Sequence, residues 1–138
     1  SAGSGTRVTG VSAIKGGDYL LENVNNFLSD LEKDHASRPS FNPSNNWHLE
    51  TEFHFGGFAK INEDLVRFMN AFYNRTFIPL DPIYTAKMMW KIKLSIMNGN
   101  IEKGSKVLAI HTGGLQGIAG MNEKLKNKPY SIEYIDKI

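Results

Sequence analysis

The sequence predicts an α/β domain: a mostly parallel sheet with helices on its faces. Three observations carry that expectation. Two runs rich in β-branched residues, 7–14 and 107–110, read as strands, the first of them buried. The stretches 18–36 and 62–76 place apolar residues at helical spacing. Strands and helices alternate in the order β-α-β-α-α-β-α, the order in which crossover helices cover a parallel sheet. At 138 residues the chain is long enough for one domain with its own core.

Each element has a local reason. "RVTGVSAI" (7–14) is apolar and β-branched, and "KGGD" breaks it. In "DYLLENVNNFLSDLEKDHA" (18–36), Leu20, Leu21, Val24, Phe27, Leu28 and Leu31 fall at helical spacing after Asp18, a good capping residue. "SRPSFNPSNN" (37–46) is a loop by composition. "WHLETEFHF" (47–55) alternates, with Trp47, Leu49, Thr51, Phe53 and Phe55 on one face of a strand. "GGFAK" then turns, and 62–76 forms a helix with the stripe Leu65, Phe68, Met69 and Phe72. "DPIYTAKMMWKIKLSIMNGN" (81–100) opens with proline near the first helical position and closes with "NGN", a start and a stop. After a turn, Val107 to Ile110 reads as a strand, and "LQGIAGMNEKL" as a last helix weakened by its glycines.

Composition excludes several classes. Hydrophobic residues make up 41% and charged residues 22%, which is globular and not disordered. Net charge is +2 and the isoelectric point is about 8.8. The densest basic patch, "EKLKNK", contains a glutamate and reads as solvated surface, so nucleic acid is not an expected partner. With no cysteine, disulfides and thiolate metal sites are impossible, and a cytoplasmic location is expected. No apolar run spans a membrane, and "SAGSGTRVTG" lacks the apolar core of a signal peptide. Without an initiator methionine, residues 1–138 are expected to be a fragment or a processed product.

In parallel α/β sheets, ligands sit beyond the carboxyl ends of strands. That draws attention to "HTGG" (111–114), where a strand-like run meets a histidine, a hydroxyl and two glycines. By itself this reads first as a turn. "SAGSGT" (1–6) offers small residues and hydroxyls that can wrap a phosphate, though it lacks the lysine of a Walker loop. Tyr84 and Thr85 fall in the first turn of the helix opening at "LDPIYT"; Tyr84 suits stacking on a ligand or burial with its hydroxyl satisfied. Lys87 is expected at the surface. The four histidines lack metal-site spacing, and no metal is expected; His48 and His54 read as structural or solvated.

Taken together, "HFGGFAK", "LDPIYTAKMM" and "GSKVLAIHTGGLQG" resemble the carboxyl-terminal part of the pyridoxal-phosphate enzymes of the aminocyclopropane-carboxylate deaminase and D-cysteine desulfhydrase family. The resemblance implies the three-layer, tryptophan-synthase-β-like fold (fold type II) and pyridoxal 5′-phosphate as cofactor. It places Gly3, Ser4, Gly5 and Thr6 on the cofactor phosphate, Tyr84 beside the cofactor near the substrate, and Thr85 and Thr112 around the pyridine nitrogen. In the deaminase branch those last two positions hold glutamate and leucine. A carboxylate there keeps the ring nitrogen protonated and strengthens the electron sink. Two neutral hydroxyls suit α-proton removal and β-elimination, so the threonines lean toward D-cysteine desulfhydrase, giving pyruvate, ammonia and sulfide. Deamination of aminocyclopropane-carboxylate to 2-oxobutanoate is the alternative.

Three departures qualify the resemblance. Phe58 stands where many members carry a substrate-side tyrosine. Thr6 runs straight into "RVTGVSAI", so a segment is expected to be missing after Thr6. The family's amino-terminal half, with the Schiff-base lysine, is absent, so this chain alone is expected to be inactive. A reading of another class is a non-catalytic binding domain that kept the fold. By resemblance the complete enzyme is a homodimer acting on a small amino acid, with no membrane partner.

Overall fold

The computed structural model describes residues 6–34 and 46–135. It contains two strands and four helices: β1 (Val8–Val11), α1 (Tyr19–Asp34), β2 (Trp47–Glu50), α2 (Glu63–Thr76), α3 (Thr85–Met97) and α4 (Gly117–Leu125). β1 and β2 pair in parallel, Val8 opposite Trp47 and Val11 opposite Glu50, with α1 between them in the chain. The α/β class is therefore borne out, with a sheet of two strands among the described residues. No helix among those residues is long and apolar enough to cross a membrane.

The strands are shorter than their sequence patterns. The last bond of the ladder runs from the Ser12 amide to the Glu50 carbonyl. Beyond it the Ser12 hydroxyl accepts from the Ile14 amide and donates to the Ile14 carbonyl, which bends β1 away. The predicted strand 47–55 stops at Glu50 because the chain turns at Phe55, Gly56 and Gly57, all at positive φ. The His54 carbonyl and ring Nδ1 accept from the Gly57 and Gly56 amides and close that turn.

The third predicted strand, Val107 to Ile110, does not form. The segment is extended in sequence character but has no hydrogen-bonded neighbour among the described residues, and Val107, Leu108 and Ile110 are exposed. A strand needs a partner as well as a propensity. The helix expected over 18–36 is described as 19–34, residues 35 and 36 lying outside the described part. Its apolar stripe is mostly open: Val24 and Leu28 are half-buried, while Leu21, Phe27 and Leu31 are exposed.

The core lies where α2, α4 and the carboxyl-terminal segment meet. Leu65, Val66, Met69 and Tyr73 of α2 are buried with Ile118, Met121 and Leu125 of α4 and with Leu80, Ala86, Ile132 and Tyr134. Phe68 and Phe72 of the expected stripe flank this cluster half-buried. α2 starts where the Asn62 side chain accepts from the Leu65 amide, and ends at Phe77, which takes a left-handed conformation. α3 packs on α2 and β1. Trp90 of α3 meets Phe68 edge-on at 5.3 Å and Phe55 at 5.8 Å. The Lys91 ammonium, 2.7 Å from Glu50, ties α3 to the end of β2.

Two asparagines strap the carboxyl-terminal segment down as a strand partner would. Asn122 donates to the Ile132 carbonyl and accepts from its amide, both at 2.9 Å. Asn70 does the same across the Ser131 carbonyl and the Glu133 amide. Tyr134, stacked on Tyr73 at 4.7 Å, donates to the Leu80 carbonyl at 2.5 Å and accepts from the Leu80 amide. Burial pushes its phenol well above the usual range, so the hydroxyl stays a donor. Tyr134→Phe leaves the Leu80 carbonyl without that donor and should cost about 1–2 kcal/mol in urea unfolding, with an unchanged denaturant slope.

Candidate functional site

The site is organised by Asp81. Its carboxylate is buried and accepts four hydrogen bonds. Oδ1 takes the Ile83 and Tyr84 amides at 2.8 Å each; Oδ2 takes the Thr85 amide at 2.7 Å and the Thr85 hydroxyl at 2.6 Å. In return the Asp81 amide donates to the Thr85 hydroxyl at 2.8 Å. This is a reciprocal cap on the start of α3, satisfying amides a helix cannot pair itself. The predicted helix start at 81 becomes a capped turn over 82–84, with α3 proper from Thr85.

"HTGG" lies against this turn. A Cβ on Gly114 would stand 3.0 Å from Asp81 Cγ and 3.1 Å from its Cβ, so only glycine lets this backbone approach the Asp81 side chain so closely. His111 holds the loop from its other end. In the neutral ring, Nδ1 accepts from the Gly113 amide at 3.0 Å, which leaves Nε2 to donate to the Pro79 carbonyl at 2.9 Å. The structure thus brings together two stretches about thirty residues apart.

Lys87 brings in the third stretch. It is not the surface lysine the sequence suggested: its side chain is fully buried and its ammonium donates to the His54 carbonyl at 2.8 Å and the Gly57 carbonyl at 3.0 Å. Burial lowers its pKa to about 8, partly opposed by the negative charge of Asp81. The clamp seats "HFGGFAK" on α3, and the Phe58 ring stands 6.1 Å from that of Tyr84.

The expected site residues divide clearly. Tyr84 is half exposed, and its hydroxyl has no hydrogen-bond partner among the described residues, unlike a buried core tyrosine. Phe58 is exposed beside it. Thr112 is exposed, with its hydroxyl likewise unengaged, on a loop where a Cβ at Gly113 would meet only open space. Thr85 is 1% exposed and its hydroxyl proton is given to Asp81. Thr6 is exposed, and Gly3, Ser4 and Gly5 lie outside the described residues. The residues that sequence reasoning passed over are Asp81 and Pro79, and the buried role of Lys87. "DPIYT", an aspartate four residues before a threonine at a helix start, was the available signal for the cap.

Among curated proteins, one from Pyrococcus horikoshii is 25% identical over 119 residues, covering 86% of this chain and 34% of that protein. One from Pyrococcus furiosus is 28% identical over 123 residues, covering 87% and 35%. One from Pyrococcus abyssi is 31% identical over 74 residues, covering 54% and 22%. All three carry the name "Putative 1-aminocyclopropane-1-carboxylate deaminase". The chain resembles this deaminase family. It spans about a third of the length of the two relatives it matches most broadly. No family model matches the chain. No solved structure matches it.

This arrangement makes two physical predictions. Gly114→Ala, strained at φ +92° and crowded by Asp81, should destabilise the chain by about 1–3 kcal/mol in thermal or urea unfolding. Lys87 predicts a pH effect. Its folded pKa of about 8 lies below the unfolded 10.5, so the unfolded chain binds more protons between those values. Its contribution to stability is therefore least favourable below pH 8 and rises up to pH 10.5, by as much as about 3 kcal/mol at 1.36 kcal/mol per pKa unit. Unfolding of wild type and Lys87→Met, compared across that window, should show this rise only in the wild type.

Proposed function

We propose that this chain is the carboxyl-terminal part of a pyridoxal-phosphate-dependent amino-acid lyase of fold type II. In this reading the complete protein converts D-cysteine to pyruvate, ammonia and sulfide. The observation that carries the reading is the convergence of "HFGGFAK", "LDPIYT" and "HTGG" on Asp81, His111 and Lys87, the three stretches that carry the family resemblance.

The residues present fit the ring of the cofactor. Tyr84 offers an uncovered aromatic face with a free hydroxyl, and Phe58 an apolar wall beside it. Thr112 offers a neutral hydroxyl on an open loop. Thr85 can only accept a further hydrogen bond, since its proton is held by Asp81. Lys87 does not fit as the lysine that binds the cofactor covalently, because its ammonium is buried and both nearby carbonyls hold it. That lysine belongs to the remainder of the longer protein in this reading, as Gly3, Ser4, Gly5 and Thr6 belong to the phosphate. When bound, pyridoxal phosphate supplies an electron sink for the carbanion left by α-proton removal.

This chain's own residues would then set that sink. The Thr112 hydroxyl would donate to the ring nitrogen without charging it, which would suit β-elimination of a good leaving group such as hydrosulfide. Tyr84 would line the substrate face, with the Phe58 ring as an apolar wall beside it. The relatives' names favour the second reading, deamination of aminocyclopropane-carboxylate to 2-oxobutanoate and ammonia.

Assaying the complete protein separates the two: sulfide and pyruvate from D-cysteine, or 2-oxobutanoate from aminocyclopropane-carboxylate. We expect sulfide, and about a tenfold or greater loss of its turnover in Thr112→Leu, about 1.4 kcal/mol of transition-state stabilisation. Thr112 is exposed, so the fold should tolerate that change. Product only from aminocyclopropane-carboxylate, or sulfide release unaffected by Thr112→Leu, overturns the D-cysteine reading.

A further inference from the structure

The run from Lys106 to Ile110 has a sequence made for a sheet and a structure without one. Its amides and carbonyls have no hydrogen-bond partner among the described residues. Leu108 is 87% exposed and Ile110 68%, on one face of the extended segment; Val107, on the other, is 48% exposed. In an extended chain alternate side chains point to opposite faces, so this run is apolar on both. A strand at the rim of a sheet alternates apolar and polar. A strand apolar on both faces is built for the interior of a parallel sheet, with a strand on each edge and a helical layer on each face.

The run is also held in position for such a partner. His111, immediately after it, is anchored to the Pro79 carbonyl, so the exposed segment ends at a fixed point beside the candidate site. Phe77 and Ile78, directly before Pro79, are exposed as well. On α1 Phe27 is 75% exposed as well. These are several separate apolar surfaces, where an ordinary monomer exposes one modest patch.

We propose that Lys106–Ile110 is an interior strand whose two neighbouring strands, and the helices that cover it, belong to the part of the longer protein outside these 138 residues. The length of the relatives supports this occupant: about two thirds of the Pyrococcus horikoshii and Pyrococcus furiosus proteins lies outside the match. A second copy of the chain fits less well, because edge-to-edge pairing of two such runs covers one edge of each and leaves both apolar faces in water. The proposal concerns sheet completion and stands whether or not the complete protein uses pyridoxal phosphate.

Hydrogen exchange tests it. In the 138-residue chain, the amides of residues 107–110 should exchange at nearly unprotected rates at every protein concentration. In the complete protein they should slow by about 100-fold or more, as core strands do. Leu108→Lys with Ile110→Lys should leave the unfolding midpoint of the 138-residue chain unchanged and lower that of the complete protein. Three results would overturn the proposal. Protection in the monomeric chain would mean a partner within it. Protection that rises with concentration would mean a second copy. Fast exchange in the complete protein would mean that no partner strand exists.

Discussion

A buried carboxylate survives only if its lone pairs are filled, and Asp81 fills them entirely from the next four residues. That local solution fixes the rest of the site. It turns the chain sharply at 82–84, starts α3 at Thr85, and aims Tyr84 outward while drawing Thr85 inward. Because the carboxylate occupies the space, the facing backbone must be glycine, which is why Gly114 lies over it. The outer layer follows as well. Tyr134 reaches Leu80, one residue before Asp81, and so couples the carboxyl-terminal strap to the same point. Loss of the cap would release two loops and a helix start at once.

Lys87 shows how opposing terms settle. Burying an ammonium is costly, and the direction of its pKa says that desolvation outweighs the attraction of Asp81. Two backbone carbonyls at hydrogen-bond distance recover part of that cost. The carbonyls sit in a turn with positive φ at Phe55, Gly56 and Gly57; each already accepts a backbone amide, His54 from Gly57 and Gly57 from Lys60, and the lysine is the second donor to both. The lysine and the irregular loop therefore explain each other. Their joint product is the placement of Phe58 beside Tyr84.

How much of this the sequence disclosed depends on the range of the interaction. α2, α3 and α4 were legible because period and end signals are local: the apolar stripe of 62–76, proline after Asp81, "NGN" at the close. The pairing of "LDPIYT" with "HTGG" was legible only through resemblance, since no spacing rule predicts that His111 reaches Pro79. Lys87 was misread because a lysine is a surface residue unless something specific holds it, and the His54 and Gly57 carbonyls lie some thirty residues upstream. The strand expected at 107–110 does not form, although its composition is that of a strand. A strand needs two segments, and no described residue pairs with this one.

The same reasoning narrows where substrate choice can reside. The resemblance assigns ring-nitrogen control to two threonines, but they are not equivalent here. Thr85 has one hydroxyl proton and spends it on a buried carboxylate. A glutamate in its place would remove the hydroxyl that both the Asp81 amide and carboxylate use, and would put a second carboxylate beside the first within the same cap. The identity of residue 85 is thus bound to the fold of the helix start. Thr112 carries no such duty: it is exposed, and its hydroxyl is unengaged. In the proposed enzyme, a neutral donor to the ring would come from Thr112 alone, with Thr85 limited to accepting. Any drift between elimination and ring-opening chemistry would begin at residue 112, where a change costs the fold little, and could reach residue 85 only after the cap around Asp81 had been rebuilt.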